Sequence, residues 1–182
     1  MQAKESIFHV LSTALLCMVR LSCSRSAPQF NSATLPTAEK PCYDAINAAY
    51  GRSDAAAVRN DIEGELAIYS SDWIETSQDG PTLDLAKIRQ INLDYIPKMR
   101  DREIVTAIQD FRMTGSTAVV RIKEHSEETM LSPNFPAGGT STRASAKDLF
   151  AIDTWVYGQQ GWLCAKTEFL YATHPSPSST RS

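Results

Sequence analysis

Between Phe150 and Glu168 the chain reads FAIDTWVYGQQGWLCAKTE, two runs of β-branched and aromatic residues around a turn at Gly158–Gly161. Such a stretch folds as a β-hairpin, and the chemistry of its two faces constrains everything packed against it. Side chains alternate along a strand, so register decides which residues meet. With Tyr157 opposite Trp162, Trp155 faces Cys164, Asp153 faces Lys166 and Ala151 faces Glu168. The other face carries Phe150, Ile152, Thr154, Val156, Leu163, Ala165, Thr167 and Phe169, which is nearly all apolar. A sheet with one oily face and one face mixing tryptophan with charges is what one wall of a pocket should look like.

A chain of 182 residues holds one ordinary domain plus extensions. Its 42% hydrophobic and 21% charged residues mark it as globular rather than disordered. A net charge of −3 leaves no basic stripe for nucleic acid. His9, His125 and His174 stand apart from any second ligand, and no Cys or His pairs occur at short spacing, so neither a metal nor a cofactor is expected. There is no GxSxG, Walker or dinucleotide signature. Cys17 and Cys23 fall in the leader, and Cys42 and Cys164 remain in the domain. Those two either form a disulfide in an oxidising compartment or stay as buried thiols.

In chain order, residues 1–26 read as a signal peptide around the apolar run Ile7–Val19, which implies export to a periplasmic or secreted location. Leu21-Ser22-Cys23 is a poorer fit to a lipid-anchor box, because Arg20 stands where an aliphatic residue is wanted. Residues 27–38 form a polar, proline-containing linker. A first helix starts near Glu39, with Pro41 in its first turn and Ile46, Ala49, Tyr50, Ser53 and Ala57 on one face. Asn60-Asp61 breaks it, and Asp61 caps a second helix running to about Tyr69.

Ser71–Thr76 is a short strand. Thr82 or Asp84 caps a third helix with the stripe Leu85, Ile88, Ile91, Tyr95 and Met99, which ends near Pro97. Glu103–Met113 and Thr117–Met130 pair as a hairpin. Leu131–Ala146 is a Pro/Gly/Ser/Thr-rich insertion, either a functional lid or an unstructured loop. Lys147–Tyr157 and Gly161–Tyr171 close the sheet, and residues 173–182 form a tail. One domain, residues 39–172, is therefore expected.

This order of elements resembles the NTF2-like superfamily, nearest to its SnoaL-like and DUF4440 branches. The resemblance spans about Tyr43 to Tyr171. It rests on the Asn60-Asp61 break, on Leu66–Asp72 running into the first strand, on Gly80 before the third helix, and on Ile152-Asp153-Thr154-Trp155 followed by Gly161-Trp162. It implies an α+β cone, with three N-terminal helices packed in a curved antiparallel β-sheet, a pocket at the wide end, and frequent dimers through the sheet. The superfamily holds both enzymes and non-catalytic binding or assembly modules, so fold alone does not decide function.

Among its enzymes, ketosteroid isomerases use a first-strand aspartate base and an oxyanion hole of a helix-1 tyrosine with a penultimate-strand aspartic acid. Asp153 matches the last of these. The base position aligns near Ser77 and the tyrosine position near Ser53, and neither residue can do that work. Lys166 would also hold Asp153 ionised. Isomerase chemistry is therefore not expected.

The expected pocket is Tyr50, Tyr69, Trp73, Tyr95, Asp153, Trp155, Lys166 and Glu168. Asp153 and Glu168 are the candidate acid and base if the protein is a small lyase, isomerase or hydrolase. The plainer reading is a structural Asp153–Lys166 ion pair, stabilising by roughly 0.2–1 kcal/mol, with core aromatics around it. Asp110, Arg112, Arg121, Lys123 and Glu124 read as a solvated face. The leading expectation is a non-catalytic domain that binds an apolar or aromatic small molecule and dimerises through the outer sheet face.

Overall fold

The computed structural model describes residues 30–78, 80–132 and 141–173. The leader at residues 1–26, the centre of the Leu131–Ala146 insertion and the tail beyond Thr173 lie outside them. Three helices, α1 (Lys40–Val58), α2 (Ile62–Leu66) and α3 (Leu85–Tyr95), are held by one curved sheet. Its strands are β1 (Tyr69–Ser77), β2 (Leu83–Asp84), β3 (Met99–Thr114), β4 (Thr117–Ser132), β5 (Ser141–Gly158) and β6 (Gly161–Thr173). Their order is β2-β1-β6-β5-β4-β3. Every neighbouring pair is antiparallel except β1 with β6. The α+β cone anticipated from the sequence is the observed architecture.

Local chemistry accounts for the helix boundaries. Asn60 turns the chain with φ 58°, and the Asp61 carboxylate then accepts from Gly64 N at 3.0 Å to cap α2. Asp84 caps α3 by accepting from Lys87 N at 2.7 Å. Pro97 sits in a short 3-10 turn, Ile96–Lys98, and Met99 opens β3 instead of extending the α3 stripe. α2 is shorter than its apolar pattern indicates, because Tyr69 is already in β1.

The small-residue stripe of α1 does face inward. Cys42, Ile46, Ala49, Tyr50, Ser53, Ala56 and Ala57 are all buried, chiefly against β3. Small side chains there let the helix approach the sheet closely. Ile46 is fully buried and contributes roughly 1.5–3 kcal/mol. The expected linker is structured from Phe30 onward: Phe30 N donates to Ile108 O, and the Phe30 ring packs 5.8 Å from Tyr43. The core joins Ile46, Tyr50, Trp73, Phe111, Val120 and Trp155.

Half of the expected insertion is sheet. Leu131–Ser132 pair with Ser141–Thr142, and Ser145 and Ala146 pair with Glu128 and Glu127. The ladder carries the β4–β5 hairpin on to the Ser132–Ser141 pair.

The β5–β6 register departs from expectation at two places, Ala165 and Leu170. Tyr157 faces Trp162 and Trp155 faces Cys164, but the next pair is Thr154 with Lys166, which leaves Ala165 as an extra residue. A one-residue bulge sends the side chains that follow it to the opposite face, here as far as Phe169, since Leu170 is a second extra residue before Phe150 pairs with Tyr171. Asp153 therefore faces Thr167, and Ala151 faces Phe169. Such a bulge also bends the sheet around the helices, as a cone requires.

Candidate functional site: an acidic cavity inside the cone

The bulge decides which side chains occupy the interior. Lys166 and Glu168 lie on the outer face, where Lys166 Nζ sits 3.5 Å from Glu168 Oε2 and both side chains are largely exposed. The expected Asp153–Lys166 pair is thus absent, and Glu168 is no partner for Asp153 in acid–base work. The shift also turns Thr167 and Phe169, expected on the outer face, inward to the cavity.

Asp153 is 3% exposed and is held without a cation. Tyr50 Oη donates to its Oδ2 at 2.6 Å, and Thr167 Oγ1 donates to its Oδ1 at 2.7 Å. Trp155 Nε1 donates to Tyr50 Oη at 2.9 Å, and Trp73 Nε1 donates to Thr167 Oγ1 at 3.1 Å. Two tryptophans, a tyrosine and a threonine thereby fix one carboxyl, and every donor in the group has an acceptor. Burial pushes Asp153 up to about 6, and the Tyr50 and Thr167 hydrogen bonds pull against that rise. Tyr50 is driven well above its ordinary range by burial and by Asp153. The helix-1 tyrosine that meets Asp153 is therefore Tyr50, one turn before the Ser53 position assigned from the sequence.

Above this group opens a cavity of about 610 Å³. Tyr50, Tyr69, Trp73, Tyr95 and Asp153 line it, whereas Trp155 lies behind Tyr50 and contributes only as its support. The rest of the wall includes charges that the sequence reading missed. Glu75 on β1, Glu124 and Glu128 on β4, and Lys147 on β5 face the interior. Asp54 on α1, Glu65 on α2 and Arg102 on β3 complete the ring.

Period-two alternation carried the missing signal. Ala118, Val120 and Ile122 point inward, so Glu124, Ser126 and Glu128 must follow. Lys147 belongs to the same row as Leu149, Ala151 and Asp153, and Glu75 follows Trp73. Glu124 is thus part of the interior and not of the solvated face on which its charge first placed it.

Some of these charges are engaged. Asp54 accepts from Thr106 N and Oγ1, each at 2.8 Å, and burial raises its carboxyl despite them. Arg102 pairs with Glu65 at 3.3 Å and donates to Ala57 O at 3.1 Å. Glu75 and Glu124 have no ion pair or hydrogen bond among the described residues. Burial pushes each up to about 7, and nearby Lys147 opposes the rise in both. Ser126 is 4% exposed, and its hydroxyl has no partner among the described residues. The described residues contain no group of three His, Cys, Asp or Glu side chains arranged to hold a metal ion. Cys42 and Cys164 are both buried free thiols. Burial raises Cys42 to about 11 and Cys164 well above its ordinary value, so neither is a thiolate nucleophile.

The fold is the NTF2-like cone. No family model matches the sequence, and no curated protein does. Solved structures do. A conserved protein from Planctomyces limnophilus DSM 3776 is similar at a TM-score of 0.61 with 12% identity, covering 74% of this chain and 98% of that one. An NTF2-like protein from Cytophaga hutchinsonii ATCC 33406 gives 0.54 and 15%, with 73% and 98% covered. A ketosteroid isomerase-like protein from Erwinia carotovora atroseptica SCRI1043 gives 0.51 and 18%, with 72% and 95% covered. At such identities the likeness is one of fold.

Proposed function

We propose that this chain is an exported, non-catalytic NTF2-like domain of the SnoaL-like, DUF4440 type that binds a small molecule inside its cone. The observation that carries this reading is the cavity of about 610 Å³, whose aromatic and aliphatic wall is shared with a ring of inward-facing charged groups. Its volume falls within the range of ligand sites. The state of its floor favours binding over turnover. With Asp153 ionised, the protons of Tyr50 and Thr167 are both committed to it, which leaves no donor there for a reacting oxygen. Export is supported by the Ile7–Val19 run.

Pairing of two copies through the outer sheet face belongs to the same proposal. Val119 and Val156 are 43% and 41% exposed on that face, beside Ile152 and Leu163.

Native mass spectrometry of protein purified from its source tests the ligand reading. A non-covalent adduct that survives gentle desolvation is expected. A bare polypeptide mass, unchanged when the source extract is added back, would overturn it.

A second reading, an acid–base enzyme, is favoured by one observation. Glu75 lies on β1 inside the cavity with its carboxyl raised to about 7, which suits a general base. In that reading Glu75 takes the role first given to Glu168 and carries the proton itself, because Asp153 is ionised and its oxygens accept from Tyr50 and Thr167.

A further inference from the structure

We propose that the cavity is built for an organic ammonium ion with an apolar body, the charged head drawn by the inward carboxyls of Glu75 and Glu124 and by the Ser126 hydroxyl. This inference rests on the ligand-binding reading above and names the ligand's chemical class.

Charge around the cavity is lopsided. Facing it are Asp54 from α1, Glu65 from α2, Glu75 from β1, Glu124 and Glu128 from β4, and Asp153 from β5. Against them stand Arg102 from β3, already paired with Glu65, and Lys147 from β5. One lysine faces several uncompensated carboxyls. A carboxylate enclosed without a partner is costly, and the free protein lessens that cost by keeping a proton on it. A bound cation removes the cost directly.

Ser126 is the independent sign that something else belongs there. It follows Ile122 and Glu124 on the inward row of β4, is buried to within 4% of full, and has no hydrogen-bond partner among the described residues. A hydroxyl so placed accepts readily from an N–H, and an ammonium has N–H groups to give. Next to these acids the wall is aromatic and aliphatic. Tyr69 and Trp73 pack at 4.4 Å between centroids, with Phe169 and Ile88 nearby on the cavity. Such a wall covers an apolar body and offers ring faces to a cation.

Calorimetry on the full chain with phenylbutylamine, phenylbutanol and phenylbutyrate tests this, because the three probes share one body and differ in head group. The amine should bind at least about tenfold more tightly than the alcohol, and the carboxylate most weakly. Amine binding near neutral pH should also release protons, read as a binding enthalpy that changes with the buffer, because the cation draws Glu75 and Glu124 into their ionised forms. Glu75→Gln and Glu124→Gln should each weaken the amine by about tenfold and leave the alcohol nearly unchanged. Both variants remove a poorly solvated acid, so their melting temperatures should hold or rise. Equal binding of amine and alcohol, tighter binding of the carboxylate, or indifference to both Gln variants overturns the ammonium inference and leaves the cavity a ligand site. If no probe binds, the ammonium inference falls, and the ligand-binding reading is decided by the native mass spectrum.

Discussion

The Tyr50 hydroxyl donates a 2.6 Å hydrogen bond to Asp153 Oδ2, tying α1 to β5 at the floor of the cone. Through Trp155, Thr167 and Trp73 the same bond organises five side chains from four elements. Tyr50→Phe keeps the ring and removes the hydroxyl. Trp155 then loses its acceptor and Asp153 one of its two donors. We expect a loss of roughly 1–3 kcal/mol in urea unfolding, together with a carboxyl that titrates above about 6 by carbon NMR. Wild-type stability in the variant would mean that the bond contributes nothing.

Lys166→Met should leave the Asp153 titration where it is, because Lys166 lies on the outer face beside Glu168. Thr167→Val should raise it, because a donor to the ionised form is lost while burial remains. The opposite pattern would place Lys166 inside and remove the Ala165 bulge.

Stability should fall as pH rises from the ordinary carboxyl range toward neutrality. Burial raises Asp153 to about 6 and Glu75 and Glu124 to about 7, so through that window the folded chain holds more protons than the unfolded one. Their stabilising contribution is complete below the ordinary carboxyl values and is lost as pH passes the folded ones. His125, raised mainly by its hydrogen bond to Asp148, adds a loss of the same sign. Against burial, which raises it, Lys123 and His125 hold Asp148 below its ordinary value, and its contribution is lost only on further acidification. Melting temperature measured across this range should decline, and Glu75→Gln with Glu124→Gln should flatten the decline. A rise in stability over the same window would contradict the unpaired interior acids.

Val156→Glu should convert a dimer into a folded monomer of unchanged unfolding free energy, measured by light scattering and urea titration. Val156 is 41% exposed, so a charge there is solvated in the single chain but buried at a twofold interface. A wild-type chain that is already monomeric, or a variant that stays dimeric, would remove the outer face as an interface.

The cone was legible in the sequence because its determinants are local. The α1 stripe, the Asp61 and Asp84 caps and the Gly158–Gly161 turn each speak for their own element. The interior was less legible. Ala165 carries no mark of a bulge, yet one extra residue there exchanges Lys166 for Thr167 opposite Asp153. Glu124 was read by its charge when the inward row from Ala118 to Ile122 already fixed its side. Tyr50 lines the cavity, but its bond to Asp153 joins residues 103 positions apart and depends on how α1 crosses the sheet. No local pattern encodes that crossing.

The central claim is that the cone interior, with its inward carboxyls, holds a small molecule. X-ray crystallography of protein purified from its source tests this most directly. The account predicts density for an organic molecule in the cavity, with a basic nitrogen within hydrogen-bond distance of Glu75, Glu124 or Ser126. A cone in which Lys147 closes on Glu75 and Glu124 and only water fills the space would contradict it.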